Sequence, residues 1–227
     1  MRIKSERGGL QALRKAKALE LVNAANNSTN PLLCALSLPN IAPAPPANVN
    51  LELQCLRASS LESSVQEELF SLLKTNMQHF YETSSWKWDE DKKWAELFSP
   101  KAWLILCKSV DKITDCGACE SAGFVSFRFE REGSHPVLYC YDIQLQVHFR
   151  GLSLGRYLID VLTCIATHFK MHRLLLTVFK SNTRALNFFR KNGFKTDQTD
   201  PSQFEGNPVV DYRILSKKLT QIPANLI

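Results

Sequence analysis

The sequence predicts a mixed α/β domain built on one mostly antiparallel sheet that contains a single parallel strand pair, flanked by helices. Two observations carry that prediction. Residues 102–108, 123–131 and 137–147 are three strand-like segments, the last two joined by the turn-like "EGSHP", which reads as an antiparallel meander. Residues 137–179 then run strand, helix, strand, and a crossover of that kind joins parallel neighbours.

The remaining elements follow from local pattern. Residues 10–22 combine helix formers with leucines at 10, 13, 19 and 21 and predict a short helix. Residues 23–50 are rich in proline and asparagine, read as unable to sustain regular structure, and mark a boundary there. The alternation of Val49, Leu51, Leu53 and Cys55 predicts the first strand. A helix over 61–81 puts Val65, Leu69, Leu72, Leu73, Asn76 and Phe80 on one face, with Ser64 and Glu67 as a capping box. "SSWKWDEDKKW" reads as a loop or short helix beside a site. The first two meander strands are linked by a loop containing Gly117. After Gly155, Tyr157, Val161, Ile165 and Phe169 form one helical row with Leu158 and Leu162 beside it. Residues 173–179 are nearly all apolar, as in a strand covered on both faces. A helix over 183–191 stops at Asn192-Gly193, and 209–215 is the last strand. The expected organisation is a basic extension (1–47), one domain (48–218) and a tail (219–227).

Composition bounds the function. With 44% hydrophobic and 22% charged residues, the 227-residue chain can bury an ordinary core. No apolar run approaches the roughly 18 residues of a membrane helix, so no membrane partner is expected. Seven irregularly spaced cysteines and no secretory pattern point to a reducing compartment without disulfides. The first 30 residues carry six basic side chains against Glu6 and Glu20. That excess fits nuclear targeting, a nucleic-acid patch, a transit peptide or a solvated helix, and the sequence leaves all four open.

The most informative stretch is "LYCYDIQLQVHFRGLSLGRYL", residues 138–158. An alternating strand breaks into small residues and then becomes a helix. Small residues let backbone approach a ligand, while the free N–H groups and positive dipole end of the first turn attract anions. Arg150 and Arg156 flank these amides, so a phosphate or pyrophosphate is the natural guest. The spacing is neither a P-loop nor a dinucleotide fingerprint.

Arg150-Gly151-Leu152-Ser153-Leu154-Gly155 resembles the pyrophosphate loop of the GCN5-related N-acetyltransferase (GNAT) superfamily. Asn182-x-x-Ala185-x-x-Phe188-Phe189-x-x-x-Gly193-Phe194 resembles that family's later helix motif. "LLKTNMQHFYETSSWKW", "VLYCYDIQLQ", "LLLTVFKSNTRALNFF" and "DYRILSKK" are similar to its histone-directed N-terminal acetyltransferases, over about residues 50–218. The resemblance implies a GNAT fold whose parallel strands splay around acetyl-CoA, with no metal. Ile143, Gln144 and Leu145 would meet pantetheine, Gly151 to Arg156 the pyrophosphate, and Asn182 the thiol arm. Ser153 departs from the motif's first glycine.

Asp142 would be the base, directly or through water; the family's residue there is glutamate, one methylene longer. Tyr141 and Asp142 alternate on a regular strand, so both serve one site only where the strand bulges. Relatives use a helical tyrosine as acid where this chain has Phe188 and Phe189, which leaves Tyr141, Tyr212 or water for that role. The implied substrate is a tail beginning Ser-Gly-Arg-Gly, as on histone H4 and histone 2A. Glu130 and Glu132 would hold its arginine, while Tyr81, Trp86, Tyr141, Thr177 and Tyr212 would enclose its first residues. Histone tails are the expected partners of a monomer in nucleus and cytoplasm.

Other constellations rank lower. Cys116-Gly-Ala-Cys119 has no second pair, and Cys164, His168 and His172 lie on a helix whose rows read as core. The tryptophans at 86, 88, 94 and 103 are accompanied by Asp89, Glu90 and Asp91, which argues against direct nucleic-acid binding. The competing readings are a lysine or small-amine acetyltransferase and a non-catalytic chromatin-binding module.

Overall fold

The computed structural model describes residues 2–37, 42–47, 49–113, 119–206 and 209–219. In chain order the elements are α1 Arg2–Asn26, α2 Pro31–Leu36, β1 Leu51–Arg57, α3 Ser63–Glu82, α4 Glu90–Leu97, β2 Trp103–Ile113 and β3 Cys119–Glu132. They continue with β4 His135–Leu145, α5 Leu154–His168, β5 Arg173–Phe179, α6 Thr183–Lys191, β6 Lys195–Thr196 and β7 Tyr212–Lys218.

The strands form one sheet in the order β1-β2-β3-β4-β5-β7-β6. All pairs are antiparallel except β4 with β5, which are joined through α5 as the crossover rule requires. Two apolar clusters sandwich it. The larger gathers α1, α2, α5 and α6, with Leu158, Val161, Leu162 and Ile165 of α5 fully buried. The smaller is built on Leu69, Phe70, Leu72 and Leu73 of α3 and Leu97 of α4, against Leu104, Leu106 and Phe124.

Strand β4 departs from a regular sheet in two ways. Its parallel pairing with β5 covers only Val137–Cys140 against Arg173–Leu176. The β3 ladder also slips between Ser126 and Phe127, which face Asp142 and Cys140, so Tyr141 is the extra residue of a bulge.

Four expectations need correction. The first helix is 25 residues long rather than a short segment over 10–22. The stretch read as irregular contains α2, because Asn30 accepts a hydrogen bond from the Leu33 amide at 3.0 Å and Pro31 occupies the first turn, where its missing N–H costs nothing. Residues read as breakers therefore start a helix. Helix α3 begins at Ser63 with Glu62 as its uncapped entry, so Ser64 and Glu67 do not form the box. The last strand starts at Tyr212, after a fully exposed Val209. Gly117, Cys116 and residues 220–227 lie outside the described residues.

The N-terminal helices belong to the main core: Val22, Ala25, Leu32 and Ala35 are all buried in it. Asn26 Nδ2 donates to Phe129 O at 3.1 Å, and Arg57 donates to the Asn26 carbonyl.

Candidate functional site

Beyond Cys140 and Leu176 the two parallel strands stop pairing, and β5 continues alongside β7 as far as Phe179. The gap opens into a cleft of about 980 Å³ walled by α3, α4, the ends of β4 and β5, and the first turns of α5 and α6. That volume matches a ligand site of cofactor size.

At the foot of the cleft the chain turns from β4 into α5. Gly151 has φ +81° and Ser153 has φ +62°, ψ 4°, a left-handed conformation that costs a residue with a Cβ. Ser153 forms no side-chain cap, so the first-turn amides of α5 have no side-chain acceptor at Ser153. A Cβ on Gly155 would lie 3.1 Å from the Phe188 ring, so any larger residue here would press that ring of α6 back by a few tenths of an ångström. Arg156 is largely exposed beside the cleft. Arg150 instead turns inward: its Nε and Nη2 donate to Leu145 O at 3.2 and 3.1 Å, and Nη2 donates to Asn76 Oδ1 at 2.6 Å. It clamps the end of β4 to α3 while still lining the cleft.

Asp142 lies deeper, 6% exposed, on a wall of the same cleft. Its Oδ1 accepts from Gln144 Nε2 at 3.1 Å, and Gln144 Oε1 accepts from Asn76 Nδ2 at 3.1 Å. Polar contacts thus run unbroken from Arg150 to Asp142. Its Oδ2 faces Lys93 Nζ at 3.3 Å, and that ammonium also donates to Glu96 Oε1 at 2.5 Å. Burial raises the Asp142 pKa, Lys93 opposes the rise, and Glu96 adds to it. Burial alone would lower the Lys93 pKa, but Asp142, Tyr81 and Glu96 outweigh it and hold the amine charged.

The bulge places Tyr141 on the cleft as well. Its hydroxyl donates to Glu130 Oε1 at 2.9 Å while the Arg128 guanidinium sits 4.2 Å over its ring. Burial and the neighbouring carboxylate both push its pKa up, so it stays protonated. Tyr139 and Thr177 share a 2.5 Å hydrogen bond across the strand pair, and burial pushes the Tyr139 pKa up to about 12. At the mouth, Trp86 is half exposed and packs on Tyr212 and Phe179 at centroid distances of 4.9 and 5.5 Å, with Tyr81 against Phe179 at 4.9 Å.

The structure therefore gathers most of the sequence-predicted residues on one cleft: Tyr81, Trp86, Tyr141, Asp142, Ile143, Gln144, Leu145, Arg150, Gly151, Ser153, Leu154, Gly155, Arg156, Thr177 and Asn182. The Asn182 Oδ1 also caps α6 by accepting from the Ala185 amide at 3.1 Å. Four others lie off its wall. Leu152 points outward, Tyr212 backs Trp86, Glu130 reaches the site through Tyr141, and Glu132 sits opposite His135 at the end of the hairpin. Sequence reading missed Asn76, Lys93, Glu96, Tyr139, Arg184 and Lys191 on the cleft. Asn76 and Tyr139 lay in segments already assigned, but nothing in the sequence distinguished Lys93 from its surface neighbours. The Cys164, His168 and His172 row does not form, since α5 ends at His168 and His172 stacks on His135 at 4.3 Å.

The acetyltransferase (GNAT) family model matches residues 68–194, more than half of the chain. Among solved structures, a GNAT-family acetyltransferase from Staphylococcus aureus Mu50 is 15% identical, with 74% of this chain and 100% of that one covered at a TM-score of 0.51. The NatC complex bound to Gag peptide and CoA is 13% identical over 75% and 99% of the two chains, TM-score 0.49. A nourseothricin acetyltransferase is 24% identical over 53% and 67%, TM-score 0.41.

Proposed function

Because the chain belongs to the acetyltransferase (GNAT) family, whose acyl donor is acetyl-CoA, we propose that it acetylates the N-terminal amine of protein tails that begin Ser-Gly-Arg-Gly. These are the tails of histone H4 and histone 2A, and the stretches that resemble N-alpha-acetyltransferase D support this choice. The observation that carries the reading is Asp142, a buried carboxylate at a strand bulge, facing the gap between the parted strands beneath an aromatic mouth.

The cleft fits the donor. Along β4 it offers strand edge unpaired with β5 at Ile143 to Leu145, where the Leu145 carbonyl is already taken by Arg150 and Asn76, and the 151–156 turn offers amides to a pyrophosphate. Bound there, acetyl-CoA supplies an activated thioester carbonyl. Asp142 accepts a proton from the acceptor ammonium, directly or through one water. The freed nitrogen lone pair forms the C–N bond as the C–S bond breaks, and the proton shed by nitrogen ends on the coenzyme thiolate. Tyr141 or water delivers that proton, whereas Tyr212, behind Trp86 and off the cleft wall, is not placed to do so.

An α-amine, with pKa about 7.7–8.0, is partly neutral at pH 7, whereas a lysine amine near 10.4 is not, so a modest base suits the first far better. Trp86, Tyr81 and Phe179 pack together at the mouth, a crowding that suits a small first residue, and the Glu130 carboxylate beside Tyr141 supplies the charge an arginine seeks.

The test is mass spectrometry of a Ser-Gly-Arg-Gly peptide incubated with the protein and acetyl-CoA, beside an N-terminally blocked, lysine-containing version. One acetyl group on the free N-terminus is expected, and Asp142→Asn should slow it by about 10²–10⁴-fold. Unmodified peptide with the wild type rejects the substrate. Acetylation of the blocked peptide favours a lysine acetyltransferase instead.

A further inference from the structure

The buried lysine of α4 is unexplained by packing alone. Lys93 is 6% exposed and reaches the cleft from a helix whose other inward side chains, Trp94 and Leu97, are apolar and pack on the smaller core cluster. Removing an ammonium from water is costly unless it is paired, and here its partners are Asp142 Oδ2 at 3.3 Å, Glu96 Oε1 at 2.5 Å and the Tyr81 ring at 5.1 Å. We infer that Lys93 is a positioning residue whose charge keeps the buried Asp142 ionised, so that the carboxylate is available to take the acceptor's proton. The inference rests on the reading of Asp142 as the base.

The groups facing Asp142 leave few other ways to hold its charge. From β4 the Gln144 amide donates to Oδ1, and the Cys140 thiol approaches the Asp142 carbonyl at 3.7 Å. From β3 the neighbour in register is Ser126, and Arg128 spends an N–H on the Glu96 carbonyl at 2.6 Å. From α3 comes Tyr81, and from α4 Glu96, a like charge that works against ionisation. Lys93 is thus the one cation within reach of either carboxylate oxygen among the described residues. A carboxyl group buried without such a partner holds its proton and cannot serve as a base near neutral pH.

The sign of the effect differs between the two α4 charges, and this makes the idea testable. In full-length protein, the Asp142 carboxyl is followed by ¹³C NMR titration, assigned with Asp142→Asn, and the pH dependence of kcat on the Ser-Gly-Arg-Gly peptide is measured beside it. Lys93→Met should move the Asp142 titration to higher pH by about one unit or more, and the acid limb of kcat should follow. Lys93→Arg should restore both. Glu96→Gln should move them to lower pH, and this variant decides the matter if Lys93→Met does not fold. An Asp142 titration unchanged in Lys93→Met, or a Glu96→Gln shift that is absent or upward, overturns the inference. A wild type that leaves the peptide unmodified while its titration responds as described instead condemns the substrate assignment, so the two failures are distinguishable.

Discussion

Gly123 stands opposite Leu145 in the β3–β4 ladder, with φ +151°. A Cβ there would lie 2.1 Å from Gln144 O and 2.9 Å from Leu145 Cδ2. The obstacle is backbone, so the 2.1 Å approach can open to the 3.4 Å of ordinary contact only if β4 shifts by about 1.3 Å. Overpacking of this kind costs about 1–3 kcal/mol and the backbone conformation about as much again. A combined cost of about 4 kcal/mol corresponds to roughly 12 °C at 2–4 °C per kcal/mol for a domain of this size. The displaced edge is Ile143 to Leu145, so Gly123→Ala should also weaken acetyl-CoA binding and slow turnover on the order of 10²-fold, as angstrom-scale misplacement does. Thermal unfolding by circular dichroism and calorimetric titration with acetyl-CoA read the two effects. The control is Gly133→Ala in the β3–β4 turn, where φ is +61° and nothing lies within 4 Å of the added carbon. It carries the conformational cost alone, about 1 kcal/mol. If Gly123→Ala melts within about 3 °C of Gly133→Ala and binds acetyl-CoA as the wild type does, the close approach of the two strands is not what requires the glycine.

Ser153→Gly removes a side chain from a left-handed turn position, a relief of about 1 kcal/mol offset by the looser unfolded chain, so the melting temperature should hardly move. Acetyl-CoA should bind about two- to tenfold more tightly in calorimetry because the turn can approach the pyrophosphate. Asp200 is fully buried and accepts from Ile214 N at 2.6 Å, Ser202 N at 2.9 Å and Arg213 Nη1 at 3.2 Å. Asp200→Ala strands these donors and should cost about 2–3 kcal/mol in denaturant titration. Burial alone would raise the Asp200 pKa, but Ser202, Ile214 and Arg213 outweigh it and hold it low. Its stabilisation is therefore complete above the unfolded carboxyl pKa of about 3.9 and disappears as pH falls through the lower folded value. The wild type should lose stability more steeply than Asp200→Ala as pH falls below about 4.

The elements that the sequence declared best were those with long one-sided patterns. The α5 row and the all-apolar β5 left little choice of period, and the Arg150-to-Gly155 break could only be a turn into a helix. Asn30-Pro31 misled because the same two residues end helices and begin them, and only the apolar partner waiting on α5 decides which. The bulge at Tyr141 was legible only as a condition, since register depends on the facing strand. Lys93 was illegible for a similar reason. Its burial is imposed by Asp142, which lies 49 positions away in sequence and 3.3 Å away in space.

The first helices have a consequence for synthesis. Asn26 finds its carbonyl partner 103 residues downstream, and the Ala35 carbonyl meets Cys164 across 129. As the polypeptide leaves the ribosome, Val22, Ala25 and Leu32 therefore stay uncovered until the β3–β4 hairpin and α5 have been made. Between the synthesis of α1 and that of α5 the nascent chain therefore carries uncovered apolar surface of the sort on which a chaperone would act.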